Sequence, residues 1–555
     1  MKRYHVTKLF VAVILSAIFA SPVFAFDFIQ SKDESYSQEM TTGDLPPDVQ
    51  DFQEATTGPL IEPDETVKIE GSEAPFEITK EKRLELEEAT RHTHLPTVTI
   101  KKSNEPLAPP DGARQTGTPK PRTNEPASQI DPKVPGTVTI WRNRTIVPPA
   151  GFSSDINEPS VAANGRYAFY TGNWYAARTA NAGATWVNID PFADMGGLQG
   201  DFCCDQDVIF DKSRNMMIWY RQGLKNRQAN GTNRIRLGRS LDGGVTWVFY
   251  DILPTSVNGA WTNQWFDYPH IALSTNYLYF TSNMFNNADA YQRSVLVRIS
   301  LDGLRAAAGI NLPSWTQTGG TWAPVQGATD MMYIGRHETN ASFRIYTQSE
   351  ANVLLGSALR AIPAWDTAGV HSCPLPSGEN PCARSDNRPL SGWVSHTKQE
   401  VGFFWNAPSG VGFPFPYVNS AVFFKGSLNA KYRPFIFNGG FAWHYAAASP
   451  NARGDVGIAA FSMGGGTFPK VWVGMDDDFN GQPPGWDVVT VATSTVGPGS
   501  NTWGDYLRVR PYSPTDLGWA ATGYVPIAGG ISSPRYFIWS RERDTGGMAL
   551  WLLQP

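Results

Sequence analysis

Eleven polar or ionisable residues recur at the starts of β-rich runs along the chain. They are Asp205 and Asp207; Asp267, Tyr268 and His270; Arg336 and His337; Arg388; His444 beside Trp443; and Asp505 with Tyr506. Carboxylates, imidazoles and phenols are groups that move protons, and a guanidinium offers a fork of donors to an anion. Singly, each of these side chains can equally well bond backbone in a crowded place. As a set they suit a polar pocket with aromatic walls, the kind of surface that receives sugars.

A second constellation is Asp476-x-Asp478-x-Asn480-Gly481, followed by Asp487. Its spacing follows a calcium loop, with oxygens at positions 1, 3 and 5, glycine at 6 and a carboxylate at 12. Position 12 is Asp where Glu is usual, and Pro483-Pro484 stiffens the loop. No flanking helices are evident, so the motif reads as an isolated Ca2+ loop or as an acidic turn without metal.

The chain has four cysteines, which fits an oxidising compartment. Cys373 and Cys382 lie close together in a Pro/Gly/Ser loop and read as a local disulfide. Cys203 and Cys204 are adjacent; they bond to each other, pair elsewhere or stay reduced. Metal ligation by the pair is disfavoured, because no His or Cys follows at ligand spacing.

These residues need a scaffold, and the sequence describes one. From Gly136 onward, short β-rich runs alternate with Gly, Asn, Asp and Pro, in a loose period of roughly 40 to 50 residues. Units run over 158–186, 205–247 and 267–303; less regular ones lie near 330–355, 388–424 and 443–473, and a last at 503–539. About seven units of three or four strands predict an all-β fold, a β-propeller with six blades as the other count. A sandwich is the structural alternative, but it leaves the repeated turn motif unexplained.

That motif is Ser240-x-Asp242-x-Gly244-x-Thr246-Trp247. Asp242 can accept N–H bonds inside the turn, Gly244 takes a backbone angle other residues resist, and Trp247 buries a ring beneath it. A near copy runs from Thr179 to Trp186, with Asn181 in place of the Asp and Gly183 in register; a truncated one lies at Ser300–Gly303. These copies resemble the BNR/Asp-box repeats of sialidase-like propellers, over roughly residues 150–545. The resemblance implies a fold; Asp boxes stabilise turns and usually lie away from the active face. It also implies a test, because sialidases hold the substrate carboxylate with three arginines and use a Tyr–Glu pair with an acid/base Asp. The family's first arginine segment is absent, with Trp141-Arg-Asn-Arg-Thr-Ile146 a poor match. Arg221, Arg336, Arg388 and Arg508 are the other candidates.

The ends of the chain read differently. Lys2, Arg3 and Lys8 precede an apolar run, Leu9–Ala20, and Val23-Phe-Ala25 fits a cleavage site, so residues 1–25 predict a secretory signal. Residues 26–135 are rich in Pro, Glu and Thr and poor in aromatics, which predicts a largely disordered extension with one short helix at 77–90. Residues 136–555 form the propeller. No later run is long enough to span a bilayer, and a net charge of −5 gives no polyanion signal, so neither a membrane nor nucleic acid is an expected partner. Nucleophile-elbow, P-loop, zincin and dinucleotide motifs are absent. The chain therefore reads as an exported, periplasmic or extracellular monomer that binds a glycan or a surface protein at its axial face. The alternative is a glycan-cleaving enzyme, a glycoside hydrolase of sialidase-like type. An enzyme should gather two carboxylates, or a Tyr–Glu pair with arginines, in one place; a binder should show aromatic platforms without that pairing.

Overall fold

The structure is a computed structural model that describes residues 53–72, 79–91, 105–109, 115–117, 138–148, 156–195, 201–228, 231–478 and 486–544. All lie in one compact unit, 45–555. The secretory signal and Asn480 of the calcium-like loop fall outside the described residues.

The described strands form six hydrogen-bonded sheets. Four are built on antiparallel meanders of four strands in chain order, over 160–189, 202–252, 264–317 and 442–493, the second and third with a short fifth strand at the outer edge; the fifth sheet joins a three-stranded meander over 509–541 to Val138–Thr145. The sixth sheet has nine strands and contains two such meanders, over 323–361 and 389–432. They are joined where Ala323–Gln326 pairs in parallel with Pro389–Ser395. The first strand of every meander touches the first strand of the next, and that of the last touches that of the first. Radial meanders with their first strands closing a ring make a β-propeller.

The strand sequences follow from this packing. Each sheet has a neighbour on both faces, so its middle strands are apolar on both sides. Met216–Gly223 is buried at every position, as is Val456–Gly464. The ring is closed by chain order: Val138–Thr145, from before the first meander, pairs antiparallel with Ile531–Arg541 as the outer strand of the last.

The Asp-box turn at 240–247 forms as its residues suggest. The Asp242 carboxylate accepts from the N–H groups of Val245 and Thr246 at 3.1 and 2.9 Å and from the Thr246 hydroxyl at 2.7 Å. Gly244 has φ +89° and donates its N–H to Ser240 Oγ, while the buried Trp247 ring donates to Gly244 O. Asn181 reproduces the pattern, accepting from Thr185 N–H at 2.9 Å, with Gly183 at φ +80° and Trp186 edge-on against Tyr536. The truncated copy is a different structure. Ser300 caps a short helix, Leu301–Ala306, by accepting from Gly303 N–H, since without the tryptophan a Ser-x-Asp run serves equally well as a helix start.

The extension departs from its expected disorder where it meets sheet edges. Gln53–Glu54 pairs with the outer edge of the fourth meander, Thr56–Thr57 with the third and Val67–Lys68 with the second, and Ser72 bridges Asn188 of the first. An exposed edge strand supplies backbone partners to any extended chain, so two-residue pairings need no apolar run in the sequence. Helix α1, Lys80–Arg91, buries Leu86 in the cluster that contains Phe192, Met195 and Phe202. No described helix is long and apolar enough to cross a membrane.

Candidate functional site

The first strands of the meanders all start at the same end of the ring, and several carry an extra residue there. In Gln264–Leu273 it falls at Tyr268, which has φ +58°; in Ala442–Pro450 it falls at Tyr445, with φ +55°. A bulge re-aims the side chains around it, and left-handed backbone at a bulky residue is strain that the surrounding fold has to hold. Tyr268 lies under the Arg388 guanidinium, and Tyr445 is close to Asp505 and Arg388.

Four carboxyl groups meet at this end. Glu158 lies just before Ser160–Asn164, Asp205 in Phe202–Asp211, Asp267 in Gln264–Leu273, and Asp505 just before Val509–Pro511. Each is between 4% and 7% exposed. Glu158 accepts from the Asp505 N–H at 2.9 Å and from Asn173 Nδ2 at 2.8 Å, and its carboxyl neighbours that of Asp205. Asp267 accepts from Gln222 at 2.8 Å. Asp505 receives the Arg388 guanidinium at 3.3 Å, and Arg388 also holds Asp386 at 2.8 Å. The walls are aromatic: the Arg388 guanidinium lies 4.4 Å over the Tyr268 ring, Arg508 lies 4.0 Å over Tyr506, and His270 is 4.8 Å from Tyr268.

Burial sets the proton affinities. It raises the Glu158 carboxyl, aided by the charge of Asp505. It raises Asp205 far above the carboxylate range, with Glu158 and Asp267 adding to the effect. It pushes Asp267 up to about 7, against the hydrogen bond from Gln222. The charge of Glu158 adds to the rise of Asp205, so these two buried carboxyls resist ionising together. His270 is held neutral by burial and by Arg508, Arg388 and Arg510 around it. Several polar atoms in this group have no partner among the described residues: Asp505 Oδ1, Tyr268 Oη, His270 Nε2 and Arg388 Nη1. Buried orphans are costly, and a hydroxyl-rich ligand offers both donors and acceptors to satisfy them.

The remaining candidates are placed elsewhere. Asp207 is on the axis but deeper, fully buried between Arg508 and Arg510 at 2.9 Å each, and it accepts from Ser160 and Ile271 N–H; it ties the first, second, third and last meanders together. His337 sits on the second strand of its meander among Phe343, Trp365 and Trp405. Arg336, beside it, bonds Tyr346 and Glu338. His444 faces His371 at 5.8 Å. Arg221 lies between sheets over Trp219 and Phe249 and donates to Pro191 O and Ala193 O. The four candidate arginines thus do not converge: Arg388 and Arg508 reach the axial group, each already matched to a carboxylate of the chain.

In the calcium-like loop, Asp476 pairs with Lys398 at 3.0 Å, Asp478 with Arg543 at 2.8 Å and Asp487 with Arg541 at 2.7 Å. A bound cation would compete with three separate protein cations. Among the described residues no group of three or more His, Cys, Asp or Glu is placed to hold a metal ion. Both cysteine pairs are disulfides, Cys203–Cys204 and Cys373–Cys382.

Sequence reading missed Glu158, Gln222, Asp386 and Tyr445 as members of the axial group. A signal existed for the first: Glu158-Pro159, Tyr268-Pro269 and Arg388-Pro389 all put a proline in or just before a first strand, directly after a site residue.

No protein-family profile matches the chain, and no curated protein matches it. Among solved structures, a protein of unknown function from Dyadobacter fermentans is 12% identical, with 62% of this chain and 96% of that chain covered and a TM-score of 0.39. A Hadza microbial sialidase is 13% identical, with coverage of 57% and 64% and a TM-score of 0.36. The α-L-arabinofuranosidase of Fusarium graminearum, in complex with arabinobiose, is 10% identical, with coverage of 72% and 97% and a TM-score of 0.38.

Proposed function

We propose that this chain is an exported propeller of seven blades, one per meander, that takes a neutral glycan at its axial end and cleaves a glycosidic bond there. The observation that carries this is the group of four buried carboxyls, in which burial raises Glu158 and Asp205 and pushes Asp267 up to about 7. Asp267, which titrates near neutrality, is placed to act as the general acid. Asp505, with one oxygen fixed by Arg388 and the other unpartnered among the described residues, is its partner carboxyl. Tyr268, Tyr506 and Arg388 supply stacking faces and donors for hydroxyls. A neutral substrate is favoured because a sialic acid carboxylate would meet four acidic groups and no unpaired arginine cluster. Two disulfides fit a compartment outside the reducing cytoplasm.

The second reading is a binding module without turnover, favoured by the near-complete burial of the carboxyls. A panel of aryl glycosides and neutral polysaccharides, assayed for released reducing ends beside a glycan array and a fluorogenic sialoside, separates the two. We expect turnover of a neutral glycan that Asp267→Asn lowers by roughly 100-fold or more while leaving array binding in place. Array binding without turnover in the unaltered protein would leave the binding module standing. Turnover of the sialoside alone would overturn the neutral-substrate reading.

A further inference from the structure

The bulge that delivers Asp205 to the site differs from those at Tyr268 and Tyr445. Along Phe202–Asp211, Phe202 faces Gly223 and Gln206 faces Arg221. Four steps on this strand therefore match two on its neighbour, and Cys203, Cys204 and Asp205 all fall opposite Gln222. The other two bulges absorb one extra residue by a left-handed tyrosine. Here there are two extra residues, and a longer bulge has more ways to relax. This is where the chain carries bonded neighbouring cysteines, both buried against Leu224. The next residue is Asp205, whose buried carboxyl neighbours that of Glu158, just before the first meander.

A general stabilising role explains the bond poorly. Disulfide stabilisation grows with the length of loop closed. Cys373–Cys382 closes nine residues of chain and fits that role, whereas Cys203–Cys204 closes one. What a bond between neighbours does fix is the local direction of the backbone.

We propose that the Cys203–Cys204 disulfide is a positioning device: it closes the bulge on itself, fixes the direction in which Asp205 leaves the strand, and thereby holds the Asp205 and Glu158 carboxyls together. Its use in catalysis rests on the acid–base function proposed above, but the positioning claim concerns the ligand-free protein and is tested there. The bond would then set how tightly one proton is shared between these two carboxyls, with Cys203 and Cys204 acting through Asp205 and touching no substrate.

The readout is the infrared C=O stretch of a protonated carboxyl, followed against pH in the Asp267→Asn protein so that Asp267 does not contribute. Loss of the band in Asp205→Asn assigns it. With the disulfide intact, the band should persist at pH 7. In the Cys203→Ser/Cys204→Ser variant, or in folded protein treated with a phosphine reductant and shown intact by circular dichroism, its midpoint should fall by at least one pH unit. An unchanged midpoint with the bond broken by either route overturns the positioning role. Absence of the band in the oxidised Asp267→Asn protein would instead sink the shared proton itself, and with it both this proposal and its catalytic setting.

Discussion

Asp242 and Asp267 are the same residue type at opposite ends of adjacent meanders, and their surroundings make opposite use of them. Ser240 pairs with Met217, near the end of the sheet where Phe202–Asp211 finishes, so the Asp-box turn lies away from the mouth where that strand begins. Burial alone would raise the Asp242 carboxyl, but the N–H and hydroxyl of Thr246 overcome it and hold the group below its ordinary value. Every hydrogen bond it accepts comes from its own turn. At the mouth, Asp267 has one amide donor and is raised to about 7. A carboxylate saturated by local donors builds structure, whereas a buried one short of donors keeps a proton that chemistry can use.

Three substitutions probe that contrast. The largest effect should come from Asp207, which shows that an axial address alone does not make a residue functional. Asp207→Ala strands Arg508 and Arg510 without their shared carboxylate and should cost about 3–5 kcal/mol in urea unfolding; a loss below about 1 kcal/mol would refute its role as the tie between meanders. Next is Asp267. Its folded pKa lies above the unfolded one, so the folded state binds the proton more tightly, and stability declines as pH rises from about 4 to about 7. Asp267→Asn should therefore be more stable than the unaltered protein at pH 8, on the order of 2 kcal/mol, with the gap closing near pH 4. A gap independent of pH would mean that Asp267 is ionised throughout. The smallest effect belongs to Asp242, whose sign is reversed: its contribution is present above about pH 4 and fades as pH falls through its lowered pKa. Asp242→Asn should cost about 1 kcal/mol at pH 7 and little at pH 2, read from the same unfolding curves.

Much of the scaffold was legible because burial on both sheet faces writes itself into the chain as apolar runs, and because the Asp-box bonds are local. Asp205, Asp267, Tyr268, Arg388, Asp505 and Tyr506 were singled out by their position near the starts of β-rich runs, and the fold brings them near one another. The failures have physical causes. Arg336 and His337 lie towards the end of Met331–Thr339, the second strand of their meander, and sequence does not say which strand is innermost. His444 was selected where Tyr445 is the residue near Arg388 and Asp505, because a one-residue bulge switches which side chains face the axis. The extension's short strands were invisible because their bonds are made by backbone, to partners hundreds of residues away.

Val138–Thr145 completes the last sheet against Ile531–Arg541, and this pairing sets a timetable. Its two halves are separated by almost the whole propeller sequence, so the ring cannot shut until the final strand has been made. Until then the first meander has no neighbour on one side and the last sheet lacks its outer strand. A contact of such long range is formed late and slowly.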